Sequence, residues 1–92
     1  MKYRLVFSKR AAARLAEFPP LLASGIYEQV EWVMEDPENR GSPAFFPHPP
    51  RGRIHDFVAH ADGDAFYCKI FWTFLPDQRV LVNAVTAQPM AD

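Results

Sequence analysis

The order of hydrophobic and polar positions divides the chain into an N-terminal helical half and a C-terminal β half. The segment Tyr3–Phe7 alternates large apolar side chains with Arg4 and Val6, a pattern and composition typical of a strand. Ser8, a favourable N-cap residue, follows it. The alanine-rich stretch 9–18 then predicts a short helix.

A second helix is indicated after the Pro19-Pro20 pair, because proline suits the first turn of a helix. Leu22, Ile26, Val30, Val33 and Met34 form an apolar stripe at helical spacing. Asp36-Pro37 ends the pattern. The two helices, joined at a proline corner, are expected to form an antiparallel hairpin.

Residues 37–52 change character, with five prolines and two glycines. This composition excludes a regular helix and predicts a long irregular loop. The loop also contains Phe45 and Phe46, so part of it is expected to pack against the domain.

The remaining sequence predicts a β-meander. Residues 53–60 form a candidate strand, and Ala61-Asp62-Gly63-Asp64 a hairpin turn. In the next candidate strand, 65–74, one face carries Phe66, Cys68, Ile70, Trp72 and Phe74, and the other Tyr67, Lys69, Phe71 and Thr73. Residues 75–78 turn the chain into a last strand at 79–85, and 86–92 are expected to be a frayed tail.

These elements predict one α+β domain over residues 1–92: a strand, a two-helix hairpin, then an antiparallel three-stranded meander, with the helices on one face of the sheet. Ninety-two residues are enough for one core. The single cysteine cannot form an internal disulfide, and no signal-peptide pattern follows Met1. We therefore expect a cytoplasmic protein.

Familiar catalytic motifs are absent from the sequence. His48, His55 and His60 lack the spacing of metal ligands, and the latter two are five residues apart, which places them on opposite faces of a regular strand. Cys68 falls on the apolar face with Ile70, so it is expected to be a buried small hydrophobe. We expect no metal and no cofactor.

One group of residues could contact RNA. Arg51, Arg53 and His55 run from the loop onto one face of the second predicted strand, and Tyr67, Lys69 and Phe71 line one face of the third. If these faces coincide, cations and aromatic rings would suit phosphates and bases. Basic residues are also ordinary on the solvent side of a sheet, and a net charge of −1 gives no overall basic excess.

The order of elements, with three short motifs, resembles the RelE/ParE superfamily of toxins from type II toxin–antitoxin pairs, and the HigB-like branch in particular. The motifs are Tyr3–Ser8, Arg53–Gly63 and Tyr67–Trp72. The resemblance covers residues 2–86. It implies a RelE/ParE-like fold.

The resemblance also implies a function, ribosome-dependent cleavage of mRNA by a metal-independent endoribonuclease. By position, Lys69, Arg53 and His55 would be the catalytic residues, with the cations stabilising the developing phosphate charge and His55 moving a proton. Arg51, Tyr67 and Phe71 would bind the substrate.

Two alternatives stay open. The tail Thr86–Asp92 has no basic or aromatic side chain, and Lys69 stands where the family usually has arginine. A ParE-like gyrase inhibitor, or a catalytically degenerate member that only binds a partner protein, would tolerate both departures. In each case the resemblance implies a cognate antitoxin as partner, for which Trp32, Phe45 and Phe46 are candidate contacts.

Overall fold

The computed structural model describes residues 3–44 and 52–90. Helices and strands follow one another in the order β1 (Arg4–Phe7), α1 (Lys9–Glu17), α2 (Pro20–Glu35), β2 (Ser42–Ala44), β3 (Gly52–Ala61), β4 (Asp64–Leu75) and β5 (Arg79–Pro89). Within these residues no helix is long and apolar enough to cross a membrane.

The strands form one mixed sheet in the order β1-β5-β4-β3-β2, with β1 parallel to β5 and the other pairs antiparallel. The predicted fold class, a RelE/ParE-like α+β domain with a strand, a two-helix hairpin and then an antiparallel three-stranded meander, is therefore wrong, because the sheet is five-stranded and mixed. Local alternation identified β1 as a strand, but it carries no information on which distant strand becomes its neighbour.

Two further corrections concern segments without a clear alternating pattern. Ser42–Ala44, within the predicted irregular loop, pairs with β3. Within the predicted frayed tail, residues 86–89 instead belong to β5: Gln88 pairs with Tyr67, and the amide of the following Met90 donates to the Ala65 carbonyl at 3.0 Å. Both are formed by pairing with a longer neighbouring strand, so their own residue types gave little signal.

The two helices begin and end close to where the sequence predicts. Ser8 caps α1, because its Oγ accepts from the Ala11 amide at 3.0 Å and donates to the Asn83 carbonyl at 2.8 Å. The same side chain thereby links the start of α1 to β5. Pro19 and Pro20 separate the helices, and α2 stops at Asp36.

The core lies between the helices and one face of the sheet. Leu22, Ile26 and Val30 of α2 are buried against the side chains of the central strands. From β4 these are Cys68, Ile70 and Trp72, each 0% exposed. Burial of one such aliphatic side chain stabilises the fold by roughly 1.5–3 kcal/mol, so this layer holds the two halves of the chain together.

A β-bulge in β5 keeps its apolar side chains on the core side. Trp72 lies opposite Val82 and Phe71 opposite Ala84, which leaves Asn83 as the extra residue. Because the bulge shifts the alternation by one position, both Val82 and Val85 are buried. The Asn83 amide donates to Thr73 Oγ1 at 2.9 Å.

The β3–β4 hairpin turns at Asp62-Gly63, as the sequence predicts. Both residues have positive φ, 53° and 84°, as a type I′ turn requires. Ala61 and Asp64 flank the turn and lie opposite one another. This pairing fixes the register of the β3–β4 hairpin.

Candidate functional site

The hairpin register separates the residues that the sequence grouped into one site. Arg53 lies opposite Trp72 and His55 opposite Ile70, whereas Lys69 lies opposite Asp56. Residues directly opposite in an antiparallel pair project to the same face. Arg53 and His55 are therefore on the helix side of the sheet, and Lys69 is on the other side.

The expectation that Arg53 and His55 share one face of the sheet with Lys69 is wrong, and the turn explains why. With Ala61 opposite Asp64, every odd-numbered residue of β3 lies opposite an even-numbered residue of β4. The predicted two-residue turn already implied this parity, so the signal was present in the sequence. Arg51, the remaining predicted cation, and the loop residues Phe45, Phe46 and His48 lie outside the described residues.

The face of β3 and β4 away from the helices carries Ile54, Asp56, Val58, Tyr67, Lys69 and Phe71, and we call it the open sheet face. The predicted substrate contacts Tyr67 and Phe71 do lie on this face together with Lys69. Phe71 is half-buried and lies opposite Ile54, and Val58 is 49% exposed.

A polar cluster occupies the middle of the open sheet face. The Tyr67 hydroxyl donates to Asp56 Oδ2 at 2.7 Å, and Lys69 Nζ lies 5.5 Å from the centroid of the Tyr67 ring. The hydrogen bond from Tyr67 lowers the pKa of Asp56, and the same bond raises the pKa of Tyr67. Asp56 therefore stays ionised beside Lys69, and its negative charge opposes phosphate binding there.

Arg53 donates hydrogen bonds to backbone carbonyls on the helix side of the sheet. Its Nε donates to the Arg40 carbonyl at 2.8 Å and its Nη2 to the Gly41 carbonyl at 3.1 Å. These bonds fix the turn that follows α2. Gly41 has a φ of 69°, and a Cβ there would lie 2.3 Å from the Ile54 carbonyl oxygen, so only glycine fits this close approach.

His55 belongs to a row of stacked side chains between α2 and β3, which we call the aromatic row: Phe57, His55, Trp32 and Arg40. Ring centroids are 5.2 Å apart for Phe57 and His55 and 4.8 Å for His55 and Trp32. The Arg40 guanidinium lies 4.2 Å from the Trp32 ring centroid. The aromatic row spans the contact between α2 and the sheet.

The protonation state of His55 follows from this packing. Its Nε2 donates to Gln29 Oε1 at 2.8 Å. Burial lowers the pKa of His55, and the charge of neighbouring Asp56 opposes that shift only in part. His55 is thus a neutral packing residue, and it cannot transfer a proton to a substrate on the open sheet face.

Among the described residues, Cys68 and the metal-ligating residue types form no further site. Cys68 is fully buried, its thiol lies 3.6 Å from the Phe66 carbonyl oxygen, and burial raises the thiol pKa; its predicted burial is confirmed. In the part of the chain that the structure describes, no group of three or more histidine, cysteine, aspartate or glutamate side chains could hold a metal ion.

A second surface was missed by the sequence reasoning. A groove of about 440 Å³ runs between β1 and α2, lined by Tyr3, Leu5, Glu31, Met34 and Glu35, and we call it the edge groove. It continues into a cleft of about 570 Å³ lined also by Asp36, Glu38 and Gln78. The groove exists because β1 is placed at the sheet edge beneath α2, which no local pattern indicated.

No protein-family model, curated protein sequence or solved structure matches this chain.

Proposed function

We propose that this chain is a RelE/ParE-like protein of the toxin–antitoxin kind that acts in the cytoplasm by binding a partner protein, without a ribonuclease centre of its own. The resemblance in the motifs Tyr3–Ser8, Arg53–Gly63 and Tyr67–Trp72 supports the family. The arrangement of the charged side chains supports the binding role over the nuclease role.

The observation that carries this choice is the position of Arg53 and Lys69 on opposite sides of the sheet. Cleavage of RNA by attack of a 2′-hydroxyl needs positive charge and a proton-transfer group around one phosphate. Arg53 is bonded to two backbone carbonyls and His55 to Gln29. Neither side chain can reach a phosphate held by Lys69.

Ribosome-dependent mRNA cleavage is the second candidate, favoured by one specific observation. Tyr67, Lys69 and Phe71 share the open sheet face, and rings beside a cation are suited to single-stranded RNA. Asp56, directly opposite Lys69, weighs against it. No contact of the described residues favours gyrase inhibition.

The two candidates are separated by primer extension on translated mRNA, with the purified chain and its Lys69→Ala variant. Lys9→Ala, on α1, is the control for loss of one positive charge. We expect intact mRNA with all three proteins. Cleavage that Lys69→Ala abolishes and Lys9→Ala preserves would establish the nuclease and overturn the proposal.

A second measurement tests the binding role directly. The chain is co-expressed with the product of the neighbouring open reading frame, and the mixture is analysed by size-exclusion chromatography with light scattering. A stable heteromeric complex is expected. Separate elution of the two proteins contradicts partner binding.

A further inference from the structure

We infer that the edge groove binds an extended basic peptide segment of a partner protein, which adds as a strand to the free edge of β1. This inference deepens the proposed function and depends on it. It rests on the backbone edge of β1, the apolar surface beside that edge and the charge around it.

The backbone of β1 has hydrogen-bonding groups on its outer side. The amides of Arg4 and Ser8 donate to the Gln78 and Val82 carbonyls at 2.8 and 3.0 Å, so even-numbered residues face β5. Leu5 and Phe7 then direct their N–H and C=O groups away from β5. Among the described strands, none lies on that side of β1, and such an edge is a template for an added strand.

Apolar surface lies next to this edge on the helix side. Leu5 is 39% exposed and Tyr27 of α2 is 44% exposed. The Tyr27 ring packs edge-on against Phe7, with centroids 5.9 Å apart, so it is held beside β1. An added strand would cover both exposed side chains and gain hydrophobic contact as well as backbone hydrogen bonds.

The charge around the groove determines the kind of peptide. Glu31 and Glu35 line the edge groove, and Asp36 and Glu38 line the adjoining cleft. Among the residues that the structure describes, no lysine or arginine lines either cavity, although Arg40 reaches Glu35 at 3.4 Å from outside. Lysine or arginine side chains directed toward α2 would complement these carboxylates, with their aliphatic stems over Leu5.

The opposite side of an added strand meets different side chains. Arg4 and Val6 pair with Arg79 and Leu81, and they project to the face away from the helices. Basic residues on that side of the peptide would meet Arg4, whereas apolar residues would extend the contact with Val6. The partner segment is therefore expected to alternate basic and apolar residues.

The test uses a fluorescent peptide of alternating lysine and valine, measured by anisotropy against the full chain. We expect saturable binding that weakens as salt rises. The charge-reversal variant Glu31→Lys/Glu35→Lys should lower the affinity by about tenfold or more. The matched control Glu17→Lys/Glu28→Lys makes the same change in net charge outside the groove and should alter affinity less than about threefold.

Strand addition is tested separately from charge by N-methylating alternate amides of the peptide. This modification keeps every lysine but removes the donors that would pair with Leu5 and Phe7, and binding should be lost. Equal binding of the methylated peptide, or equal weakening by both double variants, would overturn the inference.

Failure of the inference is distinguishable from failure of the proposed function. If the complex with the natural partner forms equally well with Glu31→Lys/Glu35→Lys, the partner binds elsewhere and only the inference is wrong. If no partner complex forms and mRNA is cleaved, the proposed function is wrong and the inference loses its basis.

Discussion

The indole nitrogen of Trp72 donates a hydrogen bond to the Pro37 carbonyl oxygen at 3.0 Å, in the buried interior of the molecule. The bond joins the middle of β4 to the chain just after α2. It satisfies a polar group on a side chain that is 0% exposed, and it holds the end of the helix against the sheet on which the predicted site residues lie.

Replacing Trp72 with phenylalanine should destabilise the fold by about 2 to 4 kcal/mol, because it leaves a cavity and an unpaired buried carbonyl. Urea unfolding followed by circular dichroism measures this change. The control is Trp32→Phe, at a residue that is 37% exposed, where we expect a loss of about 1 kcal/mol or less. Equal losses for both variants would contradict a special role of the buried indole.

Removal of Arg53 should act on stability. Arg53→Met loses both hydrogen bonds to the turn after α2, and we expect the free energy of unfolding to fall by about 1 to 3 kcal/mol. Lys69→Met, on the open sheet face, should change it by about 0.5 kcal/mol or less. Chemical denaturation of the two variants side by side is the measurement, and a larger effect of Lys69→Met would reverse the assignment.

Gly41 should tolerate no side chain. In Gly41→Ala the new Cβ would meet the Ile54 carbonyl oxygen, and a loss of about 3 kcal/mol or more in the free energy of unfolding is expected. Gly63→Ala is the matched control, because it also has positive φ but nothing lies within 4 Å of the added Cβ. That variant should lose only about 1 kcal/mol from backbone strain. Similar losses would show that the close approach at Gly41 is unimportant.

His55 should make stability depend on pH below neutrality. Its pKa in the folded state is lowered from the ordinary 6.5, so the unfolded chain takes up a proton first as the pH falls. The free energy of unfolding therefore decreases as the pH drops below about 6.5 toward the pKa of the folded state. Above pH 6.5 the stabilising contribution of neutral His55 is complete.

Denaturation between pH 8 and pH 5 measures this slope, and His55→Gln should reduce it. Asp56, whose pKa is lowered from 3.8, affects stability in a lower pH range. Its contribution to the free energy of unfolding is present above pH 3.8 and lost at lower pH. A slope between pH 7 and 5 that persists unchanged in His55→Gln would mean that another group controls it.

The Tyr67–Asp56 hydrogen bond should be visible in the ionisation of the phenol. Asp56→Asn removes the negative charge and the strongest acceptor, so the pKa of Tyr67 should fall toward its ordinary value of 10.0. NMR titration of chains labelled at the tyrosine ζ carbon follows this directly, with Tyr67→Phe to assign the signal. The pKa of Tyr3 is raised by its own hydrogen bond to Glu38. The titration of its signal should therefore not change in Asp56→Asn.

Local patterns in the sequence predicted the parts of the fold that depend on neighbouring residues. The stripe from Leu22 to Met34 is buried as expected, Ser8 caps α1, and the Asp62-Gly63 turn joins β3 to β4. Each of these features is decided within a few residues, by helical spacing, capping or turn conformation.

The predictions about the fold that were wrong concern contacts between distant residues. The pairing of Arg4 with Arg79 joins segments at opposite ends of the described chain, and nothing in Arg4–Phe7 specifies its partner. The prediction of a shared site was wrong for a different reason. Arg53 and Lys69 were grouped by residue type, although the turn at Asp62-Gly63 already fixed them on opposite faces.

The parallel contact between β1 and β5 has a consequence for biosynthesis. β1 leaves the ribosome before the other described helices and strands, whereas its only neighbour among the described strands, β5, leaves after all of them. During translation the amides of Arg4 and Ser8, which donate to β5 in the folded protein, therefore lack these acceptors until β5 has emerged. Contacts of such long sequence separation slow folding, and we expect the docking of β1 to be the late step that completes the domain.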